Sequence, residues 1–588
     1  MMAVEVAAEL LDLLSVFIIA AGVGIFVAKV GRFPYTIALL LAGVTASILE
    51  LGIDIELSHD LILLVLLPPL LFEGAATTDL EYFRRYLGPI LALAVPGLIL
   101  AVLILGVFGQ FVFGIPLLVA LLFAAMILPT DPVSVLALFE ELGAPDRLTV
   151  IVEGESLVND GVGVVIFSTL LAIIVEYGPD TAALLEPSRL VDFTVDIVVA
   201  ILGGLVVGLA AGYAVYRVMI NLDEYTTEIV LTLILAYGSF LLAEHILSNA
   251  VPGVQFSGVI ATVVAGLFIG NRGAEYAMSP QTKIGVFNTW ETAAFLVNTL
   301  IFLLIGAKTP IGQLRTHAQL IALAIGLVLL ARALVVYPVV GVANRLVDVD
   351  VSLRDQHVLV WGGLHASIPI ALVLGLPATT ASGAPFPFRE ELRAMVFGVA
   401  AFSLVVQGLT MGRLLDRLDV IRRSEAEELY ETLVGRARMV DSALEAADEL
   451  HDNNRLPGDV YDDFRAEYGR EKEALQEAIS ELLSEHPEIR REELLIGERQ
   501  VLKREKSAIM DAMRTGVIGD EVGRPLLEEV NLKLSQVDQG RSTVDETEEE
   551  YDEFWRQRAQ EFGLRSASLS ERDESRDVRS AGDGEPTE

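Results

Sequence analysis

The sequence contains no cysteine, so disulfide bonds, cysteine-ligated zinc and thiol chemistry are excluded. Basic residues are scarce as well: 42 lysines and arginines face 79 aspartates and glutamates, a formal net charge of −37. The chain therefore lacks a surface basic enough to neutralise phosphates, and no nucleic acid is expected as a partner. It also lacks a nucleotide-binding loop of the form GxxxxGK[ST].

The acidity coexists with an apolar fraction of 53%, whereas strong net charge normally accompanies low apolar content. Residues 1–420 carry 18 basic and 35 acidic residues, and residues 421–588 carry 24 and 44 in less than half that length. We predict a transmembrane domain at 1–415, a cytoplasmic helical domain at 416–540 and an acidic, disordered tail at 541–588. Acidity in both parts is typical of proteins from high-salt cytoplasms, so a halophilic archaeon is the expected source; the alternative is an acidic vestibule that collects cations.

Thirteen apolar stretches are long enough to cross a hydrocarbon core, which takes about 20 helical residues. They lie near 8–28, 34–52, 59–76, 86–114, 116–139, 147–176, 190–220, 226–247, 255–271, 287–306, 317–342, 357–376 and 392–412. The predicted fold class is an all-α polytopic membrane protein, followed by a helical C-terminal region. In that region, the segments around 425–450 and 470–483 have apolar residues at helical spacing, and 514–530 predicts a turn before another helix.

The basic residues of the loops predict the orientation, because cytoplasmic loops carry an excess of lysine and arginine. Every second loop, starting after span 1, holds Lys29, Arg32, Arg84, Arg85, Arg147, Arg217, Arg272, Lys283, Arg345 and Arg354. The opposite loops hold only Arg189, Lys308, Arg315, Arg389 and Arg393. The N-terminus is therefore predicted to lie outside, and the C-terminal region in the cytoplasm.

Ionisable groups inside a span cost about 2.5–3.5 kcal/mol each on insertion scales, so they indicate function. The acids within the predicted spans are Glu73, Asp131, Glu153, Glu155, Asp160, Asp196, Glu228, Glu244 and Glu291. Arg332 is the one basic residue that clearly falls within a span. A cation as the transported species would balance this excess of acids.

Two spans combine acids with features that open a helix. In span 5, Pro129 and Pro132 enclose Thr130 and Asp131, and unwound backbone in a membrane is tolerated where it is buried in protein or lines a cavity. In span 6, Ser156 and Asp160 are four residues apart and share a helix face, with Asn159 beside them. Such oxygen donors suit a hard cation such as Na⁺. The alternatives are a simple proline kink and polar contacts between neighbouring helices.

Three further charged residues within the spans, and the sequence of span 12, also carry predictions. Glu155 is expected to form a structural ion pair with Arg332, the only permanent cation available to it inside the spans. Glu73 ends the proline-disturbed stretch LLPPLLFEGA and is either a further oxygen ligand or an interfacial acid. The double glycine and proline of WGGLHASIPIALVLGL predict that span 12 breaks as span 5 does.

The stretches FAAMILPTDPVSVLALFEELGAPDRL, EGESLVNDGVGVVIF, LLPPLLFEGA, WGGLHASIPIAL and FSLVVQGLT resemble signatures of the monovalent cation:proton antiporter-1 family, the NhaP/NHE type of sodium/proton exchanger. The resemblance covers residues 10–415. It implies a transporter in the cell membrane, not an enzyme, without cofactors. It also implies a homodimer whose protomers have thirteen helices with inverted repeats, a dimerisation part of spans 1–3 and 7–10, and a core of spans 4–6 and 11–13.

By this resemblance, Asp160 is the carboxylate that binds either ion. The resemblance also implies that Na⁺ is bound at Asp160, Asp131, Ser156, Thr130 (through its backbone carbonyl) and Glu73, supported by Asn159, and that Glu155 and Arg332 form the family's stabilising pair. Asparagine before the essential aspartate implies electroneutral one-for-one exchange of Na⁺ for H⁺. Li⁺ as a second substrate, a K⁺/H⁺ antiporter of the same architecture and a cation channel are the alternatives.

One position departs from the family. In span 12 the family usually has Gly-Gly-Leu-Arg-Gly-Ala, whereas this chain has His365 and Ala366 in place of the Arg-Gly pair. Because histidine titrates near neutral pH, His365 could make the activity pH-sensitive. The alternative is a passive histidine that is hydrogen-bonded in the protein core.

Overall fold

The structure is a computed structural model. It describes residues 2–30, 34–49, 60–131, 135–136, 139, 144–179, 187–222, 224–250, 254–346, 351–420, 425–453, 455–514, 516–538 and 542. The chain divides into a first unit, Met1–Arg422, and a second unit, Arg423–Glu588. Within the described ranges, helices dominate and the only strand-like pairing is an isolated bridge between Thr379 and Pro385.

The helices of the first unit follow the apolar stretches of the sequence. In chain order they are α1 (Met2–Val30), α2 (Tyr35–Ile48), α3 (Leu61–Thr77), α4 (Leu80–Arg85), α5 (Leu87–Phe113), α6 (Leu117–Ile127), α7 (Asp146–Tyr177), α8 (Pro187–Met219), α9 (Tyr225–Ala250), α10 (258–276), α11 (Pro280–Ala307), α12 (Ile311–Thr316), α13 (Ala318–Leu346), α14 (Leu353–Trp361), α15 (Ser367–Leu374) and α16 (Arg389–Arg417).

The predicted all-α membrane fold is confirmed. Seven helices within the described ranges are long and apolar enough to cross a membrane, and four shorter apolar helices accompany them. Each predicted span coincides with one helix, or with α14 and α15 together in the case of span 12. The second half of predicted span 5 falls largely outside the described residues.

Prolines explain two irregular turns in these helices. Pro96 has no N–H to offer the carbonyl of Ala92, and the helix widens to a π-helical turn over Leu93–Gly97. Pro69 likewise leaves the carbonyl of Val65 without an amide partner four residues on, and the hydroxyl of Tyr237 donates a hydrogen bond to it at 3.0 Å. A side chain of α9 thus replaces a backbone bond that α3 cannot make.

The helices of the first unit form two groups by their packing. Helices α5, α6, α7, α13, α14, α15 and α16 pack mainly on one another, and α1, α2, α3, α8, α9, α10 and α11 do the same. Contacts of α7 with α8 and α10 join the two groups. The polar residues singled out in spans 5, 6, 11 and 12 all belong to the first group.

The second unit contains four described helices, α17 (Glu425–Asp452), α18 (Gly458–Glu485), α19 (Pro487–Arg514) and α20 (Asp520–Asp538). Helices α17 and α18 pair through exposed ion pairs, such as Arg436 with Glu471 at 2.7 Å. Helices α19 and α20 share a small apolar core that contains Leu502 and Val530. The predicted disordered tail at 541–588 lies outside the described residues, apart from Ser542.

Candidate ion-binding site

Two helices are interrupted within the first unit. Helix α6 ends at Ile127, and the non-helical stretch Leu128–Asp131 that follows contains Pro129, the first of the two prolines of span 5. Helix α14 ends at Trp361, and α15 begins at Ser367 after five non-helical residues. Both interruptions lie among buried residues, as the membrane environment requires for open backbone.

Hydrogen bonds tie the two interruptions together. The backbone N–H of Asp131 donates to the carbonyl of Leu364 at 2.8 Å. The imidazole Nδ1 of His365 lies 3.1 Å from the carbonyl of Pro129. Since a carbonyl oxygen can only accept, Nδ1 carries the hydrogen. Each interruption therefore satisfies polar groups that the other leaves open.

The carboxylate of Asp131 caps the second half of the broken span. Its Oδ2 accepts hydrogen bonds from the hydroxyl of Ser367 at 2.8 Å and from the Ser367 backbone N–H at 3.4 Å. This N–H belongs to the first turn of α15, where unpaired donors and the positive end of the helix dipole favour a negative charge. Asp131 thus contacts α15 through Oδ2, and its role as an ion ligand stays a prediction.

A second group of hydrogen bonds joins the interruption of span 5 to α7. The amide Nδ2 of Asn159 donates to Oγ1 of Thr130 at 2.9 Å, and the backbone N–H of Thr130 donates to Oδ1 of Asn159 at 3.4 Å. Oγ1 of Thr130 also lies 2.9 Å from Oγ of Ser156. When Thr130 donates to Ser156, the hydroxyl hydrogen of Ser156 is free to point elsewhere. The three side chains are buried and fix one another.

Asp160 lies one turn beyond Ser156 on the same face of α7 and is only 5% exposed. No group in the described part of the chain donates a hydrogen bond to its Oδ1. The charge of Asp131 is near enough to repel that of Asp160. A buried carboxylate oxygen without a donor is costly, and a proton or a bound cation would remove that cost.

Glycines allow this close packing around Asp160. A Cβ atom at Gly163 would overlap the ring of Pro129, and one at Gly161 would overlap the side chain of Ile260 in α10. The interruption of span 5 and α10 therefore approach α7 closely on opposite sides of Asp160. Small residues are the usual means by which membrane helices approach so closely.

Glu155 and Arg332 form a buried pair beside this cluster. Two guanidinium nitrogens donate to the two carboxylate oxygens at 3.0 and 3.2 Å, and Nε donates to the carbonyl of Leu359 in α14 at 3.1 Å. A Cβ atom at Gly363 would overlap the guanidinium, which explains the second glycine of the WGG sequence. A cavity of about 20 Å³ lies beside the pair and Asn159, enough for one water.

The structure also involves polar residues that the sequence did not single out. Oγ of Ser403 accepts from the backbone N–H of His365 at 2.9 Å, and Nε2 of Gln407 donates to the carbonyl of Trp361 at 2.8 Å. Both lie in α16, four residues apart, and both are buried. The sequence could have indicated them, because Ser403 and Gln407 are two polar residues at helical spacing within the apolar span 13.

Other acids lie on different helices. Glu73 is half-buried on α3, which packs against α7 and α10, and its role as a ligand stays a prediction. Glu244 in α9 accepts a hydrogen bond from the backbone N–H of Gly258 at 2.8 Å, so it caps the start of α10. Asp196 and Glu291 are exposed on α8 and α11.

A polytopic helical fold with two interrupted helices that meet beside a buried, donor-poor carboxylate defines the class of secondary transporters. The sequence model of the family described as "Sodium/hydrogen exchanger, transmembrane" matches residues 15–417, and the chain belongs to this family.

The relatives agree with this placement. The chain is 34% identical over 519 residues to the Na(+)/H(+) antiporter NhaG of Bacillus atrophaeus, which covers 86% of this chain and 94% of that protein. It is 36% identical over 413 residues to the Na(+)/H(+) antiporter ApNhaP of Aphanothece halophytica, covering 70% and 75%. The solved structure of the antiporter MjNhaP1 of Methanocaldococcus jannaschii has the same fold, with a TM-score of 0.58 at 20% identity over 70% of this chain and 99% of that one.

Proposed function

We propose that this protein exchanges Na⁺ for H⁺ across the cell membrane, one for one, by competition of the two ions for Asp160. The observation that carries the proposal is the buried Oδ1 of Asp160, which has no donor in the described part of the chain. Membership of the sodium/hydrogen exchanger family and the names of the antiporter relatives support the choice of ions.

The residues around Asp160 have different roles in this proposal. The hydroxyl oxygens of Thr130 and Ser156 lie on the same side of α7 and would complete the coordination of a dehydrated cation. Asn159 holds Thr130 in place through two hydrogen bonds. Asp131 stabilises the start of α15, and its negative charge makes binding of one cation or proton at Asp160 more favourable.

The carboxylate binds a proton or Na⁺ and is costly to leave empty in this environment, so the carrier changes its accessible side only when loaded. The Na⁺ and H⁺ concentrations on each side then decide which ion occupies Asp160. Because Asn159 is neutral, the loaded site carries the same charge with either ion. We further propose a homodimer whose N-terminus lies outside and whose C-terminal region is cytoplasmic.

The test is cation-driven proton flux in proteoliposomes. Addition of Na⁺ should release protons from vesicles that hold the purified full chain, and Li⁺ and K⁺ are added in parallel. Electroneutral exchange predicts the same rate whether the membrane potential is clamped at zero or at about 100 mV, since a single net charge would gain about 2.3 kcal/mol from that potential.

Each alternative gives a different result. A response to K⁺ but not to Na⁺ would make the protein a K⁺/H⁺ antiporter. A Na⁺ current without proton flux would indicate a channel. A rate that changes severalfold with potential would contradict one-for-one exchange. Empty liposomes made from the same lipid provide the background.

His365 gives a separate prediction about pH. We expect His365→Gln to leave the pH–activity profile unchanged, because glutamine can keep an N–H bond to the carbonyl of Pro129, and a neutral ring already satisfies that bond. His365→Leu should lower the rate at every pH, since it removes the donor. The measurement is Na⁺-driven proton flux between about pH 6 and 9. A shift of the profile in the glutamine variant alone would make His365 a pH sensor.

A further inference from the structure

An open groove of about 890 Å³ lies at the end of α16 and is not used by the ion site. Its walls come from the last three turns of α16 and from the final residue of α14. The lining residues are Trp361, Val406, Thr410, Arg413, Leu414, Asp416 and Arg417. Positions 406, 410, 413 and 417 follow one another at three- and four-residue spacing, so they form a single stripe along α16.

The stripe changes from apolar to basic along α16. It begins with exposed Val406, continues with Thr410, whose hydroxyl accepts a hydrogen bond from the indole N–H of Trp361 at 3.0 Å, and ends with the two arginines. A tryptophan whose indole N–H donates a hydrogen bond is typical of the boundary between hydrocarbon and head groups. The groove therefore runs from an apolar part to a basic part.

Among the described residues, the two arginines differ from their neighbours in having no acidic partner. Arg147 forms an ion pair with Asp355 at 3.3 Å, and Arg354 forms one with Asp419 at 3.4 Å. In the described part of the chain, Arg413 and Arg417 form neither an ion pair nor a side-chain hydrogen bond, although they lie one turn apart. Like charges at this spacing destabilise a helix, so an anion bound between them would be stabilising.

We propose that this groove binds one anionic phospholipid, with the phosphate between Arg413 and Arg417, the glycerol region beside Thr410 and Trp361, and an acyl chain along Val406. Basic pockets at the ends of transmembrane helices are the known places for such head groups. A free phosphate would use only the arginines, whereas the apolar start of the stripe matches a lipid. Asp416 leaves the three charges of the groove with a net positive charge, which excludes a cationic head group.

The experiment uses the fluorescence of Trp361. The full chain with Trp290→Phe and Trp555→Phe keeps Trp361 as its only tryptophan. It is reconstituted into vesicles that contain equal fractions of dibrominated phosphatidylglycerol or dibrominated phosphatidylcholine. We expect stronger quenching by the anionic lipid, with a relative binding constant roughly 10- to 30-fold higher, from about a fivefold effect per arginine at most, since each contributes about 1 kcal/mol.

Arg413→Gln with Arg417→Gln should abolish this preference. Arg84→Gln with Arg345→Gln removes the same charge from exposed positions outside the groove and should leave the preference intact. Native mass spectrometry of the chain with all its tryptophans checks the result, because the double groove variant should lose a retained phosphatidylglycerol. Equal quenching by the two lipids, or a preference that survives in the groove variant, would overturn the proposal. Reversal of the quenching by soluble glycerol phosphate would assign the groove to a free anion.

Discussion

Replacement of Asp160 by asparagine is expected to abolish Na⁺-driven proton flux completely and to leave a folded protein. An amide neither releases a proton at working pH nor neutralises a dehydrated cation, so both halves of the exchange are lost together. Folding should survive, because Oδ1 receives no hydrogen bond from the described residues and an amide of the same shape removes a buried charge. The measurement is flux in proteoliposomes, with the elution volume and thermal midpoint of the variant as the check on folding.

Asp196→Asn is the matched control for this prediction. Asp196 also lies in a helix of the first unit, but it is exposed on α8, which belongs to the packing group without the two interrupted helices. The control should retain exchange. Residual Na⁺-driven flux in Asp160→Asn above that of empty liposomes would refute the assignment of Asp160, as would equal loss in both variants.

The second large effect concerns stability. Glu155→Gln is expected to lower the thermal midpoint strongly, because it leaves the guanidinium of Arg332 buried without its counter-charge, a loss of about 3–5 kcal/mol for a buried pair. The same arginine holds the carbonyl of Leu359, so a displaced guanidinium would also loosen the end of α14. Thermal unfolding in detergent, followed by the loss of monodisperse protein, measures the effect.

A double-mutant cycle separates structure from transport. Glu155→Leu combined with Arg332→Met should be more stable than either single variant, since replacing a whole buried pair by apolar residues is often neutral. If the pair is structural, the double variant retains Na⁺/H⁺ exchange at a temperature where it is folded. A Glu155→Gln variant that is as stable as the parent chain but does not transport would place Glu155 on the ion path instead.

The membrane architecture could be predicted because its signals are local. A run of about twenty apolar residues is readable in one stretch of sequence, and so are the prolines around Thr130 and the double glycine before Leu364. The contact between Glu155 and Arg332 followed from counting charges, since only one cation was available inside the spans.

Other features depend on contacts between distant segments. Ser403 and Gln407 hold the interruption of span 12, but their spacing alone does not say which backbone groups they meet. The sequence marked Asp131 as an oxygen donor, yet only the fold shows that Oδ2 faces Ser367. Helix α19 was also missed, because its many charges give a weaker apolar pattern than those of α17 and α18.

The hydrogen bonds of Pro129 with His365, Asp131 with Leu364 and Thr130 with Asn159 link three separate chain segments into one hydrogen-bonded block. Such a block resists internal rearrangement, so a change from outward to inward exposure is expected to come from sliding of the surrounding helices past it. The bound ion would then keep the same ligands throughout transport. The residues of the block would consequently determine which ion is bound, and residues of the surrounding helices would determine the transport rate. The two properties could then change independently of each other.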